Sequence, residues 1–364
     1  MLRLSVTINQ PFTMQSMYNF RAGNGRRLLT IGLAILLAFS SCKKTSTTPG
    51  AAQPVPAAAT DANSRLLSVA NVYYTTDGRS VEAWFFETPL VFEFSKNNPA
   101  AAQYFETLQY AKEHRLPVNV SVVKGTEHLI ERITPATEIQ VEQFRAEQSK
   151  RVPAEAVPAP EEGGESFGNT PDASLISLVP DLATLNNIFN TIKSQCNRAP
   201  GVLIYGPRIP FQFVADGCYA RAHKMRQLIE SYFGYQSYKV FNFACNGSGT
   251  LSVKATLWGN NCCVKWWYHV TSYVYLNTGF STVAYAIDPA MFNGPVTIST
   301  WVAAQKNTTC GYGGTSQGQV YYSSNAYAPN TLPVNCSIVP YADNTYTAAD
   351  ATCISYGQKI GCAF

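Results

Sequence analysis

The chain has 364 residues, of which 46% are apolar and only 14% charged, with a formal net charge of +4. That length and apolar content suffice for two ordinary domains with cores of their own and exclude a disordered or collagen-like chain. The small positive charge, with no basic patch along the sequence, gives no case for nucleic acid as a partner.

Near the N-terminus, Arg21, Arg26 and Arg27 precede a short apolar run from Leu28 to Phe39 that ends at FSSCKK. A basic region, an apolar stretch too short to span a bilayer comfortably and a small-residue cleavage site read as an export signal over residues 1–42. It resembles a bacterial lipoprotein signal, with Cys42 as the residue lipidated after cleavage, although Phe39 stands where leucine is more usual. Plain secretion is the alternative, and in either case the mature chain is extracytoplasmic, secreted or on the outer membrane, touching a membrane only through a lipid on Cys42. Residues 43–62, KKTSTTPGAAQPVPAAATDA, lack apolar periodicity and suit a disordered tether.

Outside the cytoplasm thiols end up as disulfides. Beyond Cys42 the cysteines are Cys196, Cys218, Cys245, Cys262, Cys263, Cys310, Cys336, Cys353 and Cys362. An odd number leaves at least one unpaired, and if the other eight pair there are four bridges whose connectivity the sequence does not choose. Adjacent Cys262 and Cys263 are expected to take different partners, because a vicinal bridge is strained.

The cysteine-free stretch divides the protein. From Asn63 to about Arg151 the pattern is that of a small α+β region. VEAWFFETPLVFEFS, Val81 to Ser95, has strand composition with Pro89 as a break. A helix then opens with Asn98 as N-cap and Pro99 in its first turn. Pro117 closes that helix and PVNVSVV begins a strand, with a second helix over Pro135 to Ser149. Between Asn63 and Ser174 there are 16 acidic and 10 basic residues, a net charge of −6. Residues 152–174, VPAEAVPAPEEGGESFGNTPDAS, cannot bury enough apolar surface to order themselves and read as an exposed, cleavable linker. Downstream, residues 175–364 hold all nine cysteines with 11 basic and 6 acidic residues, a net charge of +5. An acidic front region and a basic rear region attract each other weakly. Signal, acidic front, linker and cysteine-rich rear make the layout of a zymogen; a two-domain binding protein fits the same layout, so chemistry must decide.

In the rear region, PDLATLNNIFNTI reads as a helix capped by Asp181, with Leu182, Leu185, Ile188, Phe189 and Ile192 on its apolar face. A second helix follows the turn Asp216-Gly217, with Ala222, Met225, Leu228, Ile229 and Tyr232 on one face. Cys218 falls in its first turn, where unpaired N–H groups and the helix dipole favour a thiolate and lower the thiol pKa. The competing reading makes Cys218 one end of a disulfide.

WWYHVTSYVYL, Trp266 to Leu276, alternates so that Trp267, His269, Thr271, Tyr273 and Tyr275 share a face. After a turn at NTGF the run STVAYAIDP is strand-like up to Pro289. Symmetry about Thr278-Gly279 sets His269 directly opposite Asp288, with Cβ atoms roughly 5 Å apart. An aspartate there fixes the imidazole tautomer and leaves the second nitrogen for a thiol. A structural His-Asp pair is the competing reading, and a one-residue slip would break the pairing. His223, five residues along the helix from Cys218 and about 100° around its axis, reads as structural. The aromatic run at Trp266, Trp267 and Tyr268 lines either a substrate cleft or the core, and core is the commoner use. The two adjacent cysteines and His269 lack the spacing of a zinc site, so neither metal nor other cofactor is expected.

The segments LISLVPDLATLNNIFNTI, DGCYARAHKMRQ, CCVKWWYHV and IDPAMFNGPV and the terminal GCAF resemble the bacterial protein-glutaminases over residues 175–364, and VEAWFFETPLVFEFS with QYFETLQYAKEH is similar to that family's pro-region. The resemblance implies an α+β fold: a papain- or transglutaminase-like catalytic domain, preceded by a small α+β pro-domain over 63–151 that inhibits it until a protease cuts the linker. It implies a catalytic triad of Cys218, His269 and Asp288, monomeric protein, glutamine-bearing protein or peptide substrates, and a mature N-terminus near Leu175. Residues 241–261 are longer than that family's pattern, and Cys42 is a second departure. A transglutaminase or a papain-like protease would use the same triad, and a disulfide-rich surface binding module would use none of it.

Overall fold

The computed structural model describes residues 64–160 and 177–362, apart from 198, 200, 201, 246–248, 259, 280 and 358. The expected signal, tether and most of the linker lie outside the described residues. No helix among the described residues is long and apolar enough to cross a membrane.

The front region is built from β1 (Ser64–Tyr74), β2 (Ser80–Phe85), β3 (Thr88–Ser95), α1 (Ala101–His114), β4 (Pro117–Val122), β5 (Ile130–Pro135) and α2 (Glu138–Gln148). β2 and β3 are a hairpin that turns at Phe86 and Glu87. The expected break at Pro89 is therefore displaced. Pro89 sits inside β3 where its missing N–H is not needed, and its carbonyl accepts from Trp267 N–H at 3.0 Å. α1 starts two residues later than expected: Asn98 Oδ1 accepts from Ala100 N–H in a preceding turn, and Ala100 is the N-cap. α2 carries a full capping box between Thr137 and Gln140.

β6 (Val152–Pro153) corrects the reading of the linker's first residues as unordered. It pairs with the rear strand β15 (Pro340–Ala342), and Val157 N–H donates to Tyr321 O at 3.0 Å. The segment is too polar to make a core of its own, but an open sheet edge supplies the hydrogen bonds it needs.

The rear region continues with α3 (Leu182–Ser194), capped by Asp181 as expected, with Leu185, Ile188, Phe189 and Ile192 buried and Leu182 left exposed. Next come α4 (Cys218–Gln227), β7 (Tyr238–Ala244), β8 (Leu251–Ala255), β9 (Cys262–Trp266), β10 (Tyr268–Asn277), β11 (Thr282–Ile287), β12 (Val296–Thr297) and α5 (Ile298–Ala303). β13 (Gln317–Ser323), β14 (Ala326–Pro329), the β15 already described and α6 (Thr347–Tyr356) complete it. Residues 241–261, expected as a long loop, contain the end of β7 and all of β8.

Two large sheets organise these strands. One runs β5-β4-β1-β2-β3-β9-β8 and so passes from the front region into the rear through the pair Leu90 and Trp266. The other, β12-β11-β10-β7-β13, lies wholly in the rear region. The expected single strand from Trp266 to Leu276 is broken at Trp267, because β9 belongs to the first sheet and β10 to the second. Front and rear regions fall within one compact unit. One buried cluster contains Ala70, Trp84 and Val91 from the front together with Cys218, Trp266 and Trp267 from the rear.

Three disulfides, Cys245–Cys336, Cys262–Cys362 and Cys263–Cys310, all lie within the rear region. Cys262 and Cys263 take different partners, as expected. The four bridges anticipated from parity become three, because Cys196 and Cys353 stay free and buried alongside Cys218.

Candidate active site

Cys218 opens α4, and the turn before it depends on Gly217, whose φ of 81° is the left-handed conformation that glycine adopts without cost. A Cβ there would also lie 2.9 Å from the Tyr356 ring. Arg221, one turn along α4, fastens the approach to the cysteine: its Nη1 donates to Phe213 O at 2.7 Å and to Asp216 O at 2.6 Å. The helix is buried all round, polar side chains included. His223 Nε2 donates to Thr345 O at 2.7 Å, and its Nδ1 accepts from Lys239 Nζ at 2.9 Å. His223 is structural, as the sequence suggested. The last turn, Leu228–Tyr232, widens into a π-helix that leaves Tyr232 exposed.

β10 brings His269 to α4, and Ser272 Oγ on the same strand donates to Ala222 O of the helix at 2.8 Å. His269 Nε2 lies 2.8 Å from Asp288 Oδ2, so the pairing reached from sequence exists, but its expected geometry is corrected. Ser272 stands opposite Ile287 and Asn277 opposite Thr282, so the hairpin register is two residues away from the expected one. The turn carries two more residues than a tight hairpin, with Thr278 N–H donating to Ser281 O at 2.9 Å. A two-residue shift preserves the face. Asp288, just past the end of β11, therefore reaches His269 diagonally rather than directly.

The carboxylate is fully held. Trp301 Nε1–H also donates to Asp288 Oδ2 at 2.9 Å, and Ala290 N–H donates to Oδ1 at 3.2 Å. Burial pushes the Asp288 carboxyl up, but the hydrogen bonds from His269 and Trp301 outweigh it and keep its pKa below the ordinary carboxylate value. Burial pushes the His269 imidazole down against the pull of Asp288. The pair is thus a carboxylate and a neutral imidazole whose Nε2–H donates. His269 Nδ1 carries the lone pair, is buried and has no hydrogen-bond partner. The imidazole is sandwiched between indoles, with Trp266 at 4.3 Å and 11° on one side and Trp301 at 5.3 Å and 25° on the other. Trp266 Nε1–H in turn donates to Ala215 O, three residues before the cysteine, at 2.9 Å.

The expectation of a lowered thiol pKa is corrected. With 1% of its surface exposed, Cys218 is pushed up to about 12 by burial, which outweighs the opposing Arg221 charge and Val270 N–H. Val270 follows His269, so the thiol lies against the strand that carries the imidazole, although no hydrogen bond joins the two side chains. Helix position favours the thiolate, but burial favours the thiol more strongly. Trp84 of β2 stacks on Trp267 at 5.8 Å and 9°, and Trp267 Nε1–H is shared between Phe85 O at 3.1 Å and Thr88 O at 2.8 Å. The aromatic run 266–268 is fully buried in the intact chain, partly by front-region residues. Among the described residues no cluster of histidine, cysteine and carboxylate side chains is arranged to hold a metal ion.

A sequence model of a family described as glutaminase matches residues 185–305, the span that contains Cys218, His269 and Asp288. No curated protein matches the chain. A crystal structure of pro-protein-glutaminase is similar at 26% identity, over 82% of this chain and 93% of its own, with a TM-score of 0.59. A mutant of pro-protein-glutaminase matches at 27% identity over the same shares, also with a TM-score of 0.59. The NMR structure of protein-glutaminase from Chryseobacterium proteolyticum matches at 35% identity over 52% of this chain and 93% of its own, with a TM-score of 0.42. The family match and the two pro-protein-glutaminase structures define the class as an amide-hydrolysing enzyme with mixed α and β structure. More narrowly, the chain belongs to the protein-glutaminase family in its proenzyme form, the front region corresponding to the pro-region.

Proposed function

We propose that the rear region deamidates protein-bound glutamine through a Cys218, His269 and Asp288 triad, and that the front region keeps this triad inactive until a protease separates the two. The observation that carries the reading is the His269–Asp288 pair: its geometry directs Nε2–H to the carboxylate and leaves Nδ1 as the free base, beside a cysteine that stays unpaired while six others form bridges.

In the opened cleft, Nδ1 takes the thiol proton and the thiolate adds to the side-chain carbonyl carbon of glutamine. The C–N bond then breaks, and ammonia leaves with the proton from Nδ1. Water adds to the thioester, giving a proton back to Nδ1, and the C–S bond breaks to release glutamate and restore the thiol. Asp288 holds the imidazole tautomer and supports its charged form in between. Trp301 holds Asp288 by a hydrogen bond and the imidazole by stacking. The Cys218 N–H, in the first turn of α4 and without an intrahelical acceptor, is a suitable donor to the oxyanion. The expected export signal and the possible lipid on Cys42 complete the reading of an extracytoplasmic zymogen cut within or close to residues 152–174.

The test is ammonia release from a folded protein substrate by the protease-cleaved chain, with intact-mass analysis of the product and Cys218→Ala alongside. A gain of about one mass unit per site, from replacing amide NH2 by OH, absent with Cys218→Ala, is the expected result. Crosslinked products would replace the proposal with acyl transfer to lysine, and substrate fragments would replace it with peptide hydrolysis.

A further inference from the structure

Asp216, two residues before Cys218, is a carboxylate with only 1% of its side chain exposed. Its Oδ1 accepts from Gly217 N–H at 2.6 Å, and its Oδ2 accepts from Tyr356 OH at 2.7 Å and from Arg65 Nη2 at 3.3 Å. Gly217 and Tyr356 belong to the rear region and remain whatever happens to the front. Arg65 belongs to β1, where it pairs with Val120 of β4 and lies 5.6 Å over the Phe92 ring. The charge opposite Asp216 is therefore supplied by the part of the chain that departs.

Removing Arg65 leaves this carboxylate with a phenol and an amide as donors and no counter-charge from the front region, next to a cysteine that must ionise. A desolvated carboxylate that loses its cation is costly. Of the rear-region cations, Arg221 directs its Nη1 to the backbone carbonyls of Phe213 and Asp216 and not to the Asp216 carboxylate, and the other to consider is Lys359. It is held by Glu127 of the front region at 2.6 Å and lies over the faces of the Phe213 and Tyr356 rings, 5.2 and 5.1 Å from their centres. Tyr356 presents its hydroxyl to Asp216 and its ring face to Lys359, so the ammonium rests on the aromatic face and on Glu127 and not on the Asp216 carboxylate.

We propose that Asp216 and Tyr356 form a cation subsite beside the nucleophile, filled by Arg65 in the intact chain and, once the front region has left, by an arginine or lysine side chain of the substrate near the target glutamine. The subsite rests on the deamidation reading for its place next to the reacting amide. It makes basic surroundings a determinant of which glutamines react, although the rear region carries a net positive charge.

The test uses the full-length chain cleaved between residues 160 and 177 and freed of its front region, which retains all three disulfides. Glutamine peptides carrying arginine at successive flanking positions are compared with the same peptides carrying neutral citrulline, by ammonia release and by fluorescence anisotropy on the Cys218→Ser chain. The expected result is a kcat/KM about tenfold higher for arginine than for citrulline at one flanking position, the size expected of a charge-assisted hydrogen bond. The ratio falls towards one in 1 M salt and with Asp216→Asn. Equal turnover of arginine and citrulline peptides at every position overturns the subsite while leaving deamidation intact, and is also the outcome if Lys359 fills the site. Preferential binding of arginine peptides without ammonia release supports the subsite and overturns the deamidation reading. Neither preference nor ammonia overturns both. If Asp216→Asn does not fold, the arginine and citrulline comparison on the unsubstituted chain decides alone.

Discussion

The described front region, β1 to β5 with α1 and α2, contains no cysteine and is held by apolar packing, backbone pairing and side-chain hydrogen bonds such as Tyr73 to Glu82 and Lys112 to Asn71, whereas the rear region ties its sheets and C-terminal residues together with three disulfides. The contacts between them are likewise non-covalent, among them the strand pair at Leu90 and Trp266, the stack of Trp84 on Trp267, the hydrogen bonds of Trp267 to Phe85, Thr88 and Pro89, and the ion pairs Arg65–Asp216 and Lys359–Glu127. Nothing covalent except the chain itself joins the two described regions. On the proposed function, the part to be lost is thus attached reversibly, while the part that acts is cross-linked internally. The same contrast runs through the chemistry. The His269–Asp288 pair is assembled entirely from rear-region residues, but the burial of Trp267, two residues before the histidine, depends in part on the front.

The sharpest way to break this contrast is to ask whether the three free cysteines differ. Cys218→Ala should lower deamidation by the cleaved chain by roughly 10⁶-fold, as removal of a triad nucleophile does. Cys196→Ala and Cys353→Ala should stay within a few fold in the same ammonia assay. Comparable losses from all three would mean that burial, and not position at the start of α4, distinguishes them.

Next in size is the front-region stack. Trp84→Ala in the uncleaved chain removes an indole from the interface, at a cost on the order of 3 kcal/mol. Activity of the uncleaved chain should then rise by up to about 100-fold, read by ammonia release and by faster limited proteolysis of β1 to β3. An unchanged, silent chain would show that the ion pairs, not the aromatic contact, hold the front in place.

Acid should weaken the rear region through His223. Burial, with the Lys239 charge beside it, pushes this imidazole down to about 2. Between that value and the ordinary histidine value near 6.5 the unfolded chain binds a proton that the folded chain does not, so stability is lost as pH falls below about 6.5. At pH 5 the loss is about 2 kcal/mol relative to pH 7. Urea midpoints at the two pH values measure it, and a midpoint that does not move would contradict a neutral, buried His223.

The smallest effect is expected from Trp301→Phe, which keeps a ring against His269 but deletes the donor to Asp288 Oδ2. A loss of about 1.4 kcal/mol, or tenfold in kcat/KM, is the size of one hydrogen bond to a charged group. The acid limb of the pH–rate profile should move as well, because Asp288 would no longer be held as low, and a profile unchanged in both height and position would make Trp301 a packing residue only.

Much of this arrangement is legible in the sequence because it is local. Asp181 and its apolar stripe specify α3, Asp216-Gly217 and the helical run specify α4, and alternation in β10 and β11 places His269 and Asp288 on one face. The register was missed by two residues because it is set by the turn, and NTGFS closes a wider loop than the tight one assumed. The protonation state of Cys218 was missed for a different reason. A helix terminus is visible in sequence, but the packing that buries it, β10 against α4 among it, is not. Trp301 and Arg221 were missed as site residues because neither has a spacing signal: Trp301 reaches the site from a six-residue helix, and Arg221 looks like an ordinary basic residue until its carbonyl partners are known.

The measurement that tests the account most directly is the rate at which iodoacetamide alkylates each free cysteine at pH 7.5, mapped by mass spectrometry in the uncleaved chain and again after cleavage and release of the front region. The account predicts slow alkylation of Cys196, Cys218 and Cys353 before cleavage, and a selective rise of roughly 100-fold or more at Cys218 afterwards, as the thiol regains solvent and its base. Equal rates at Cys218 before and after, or a Cys218 found in a disulfide, would contradict it.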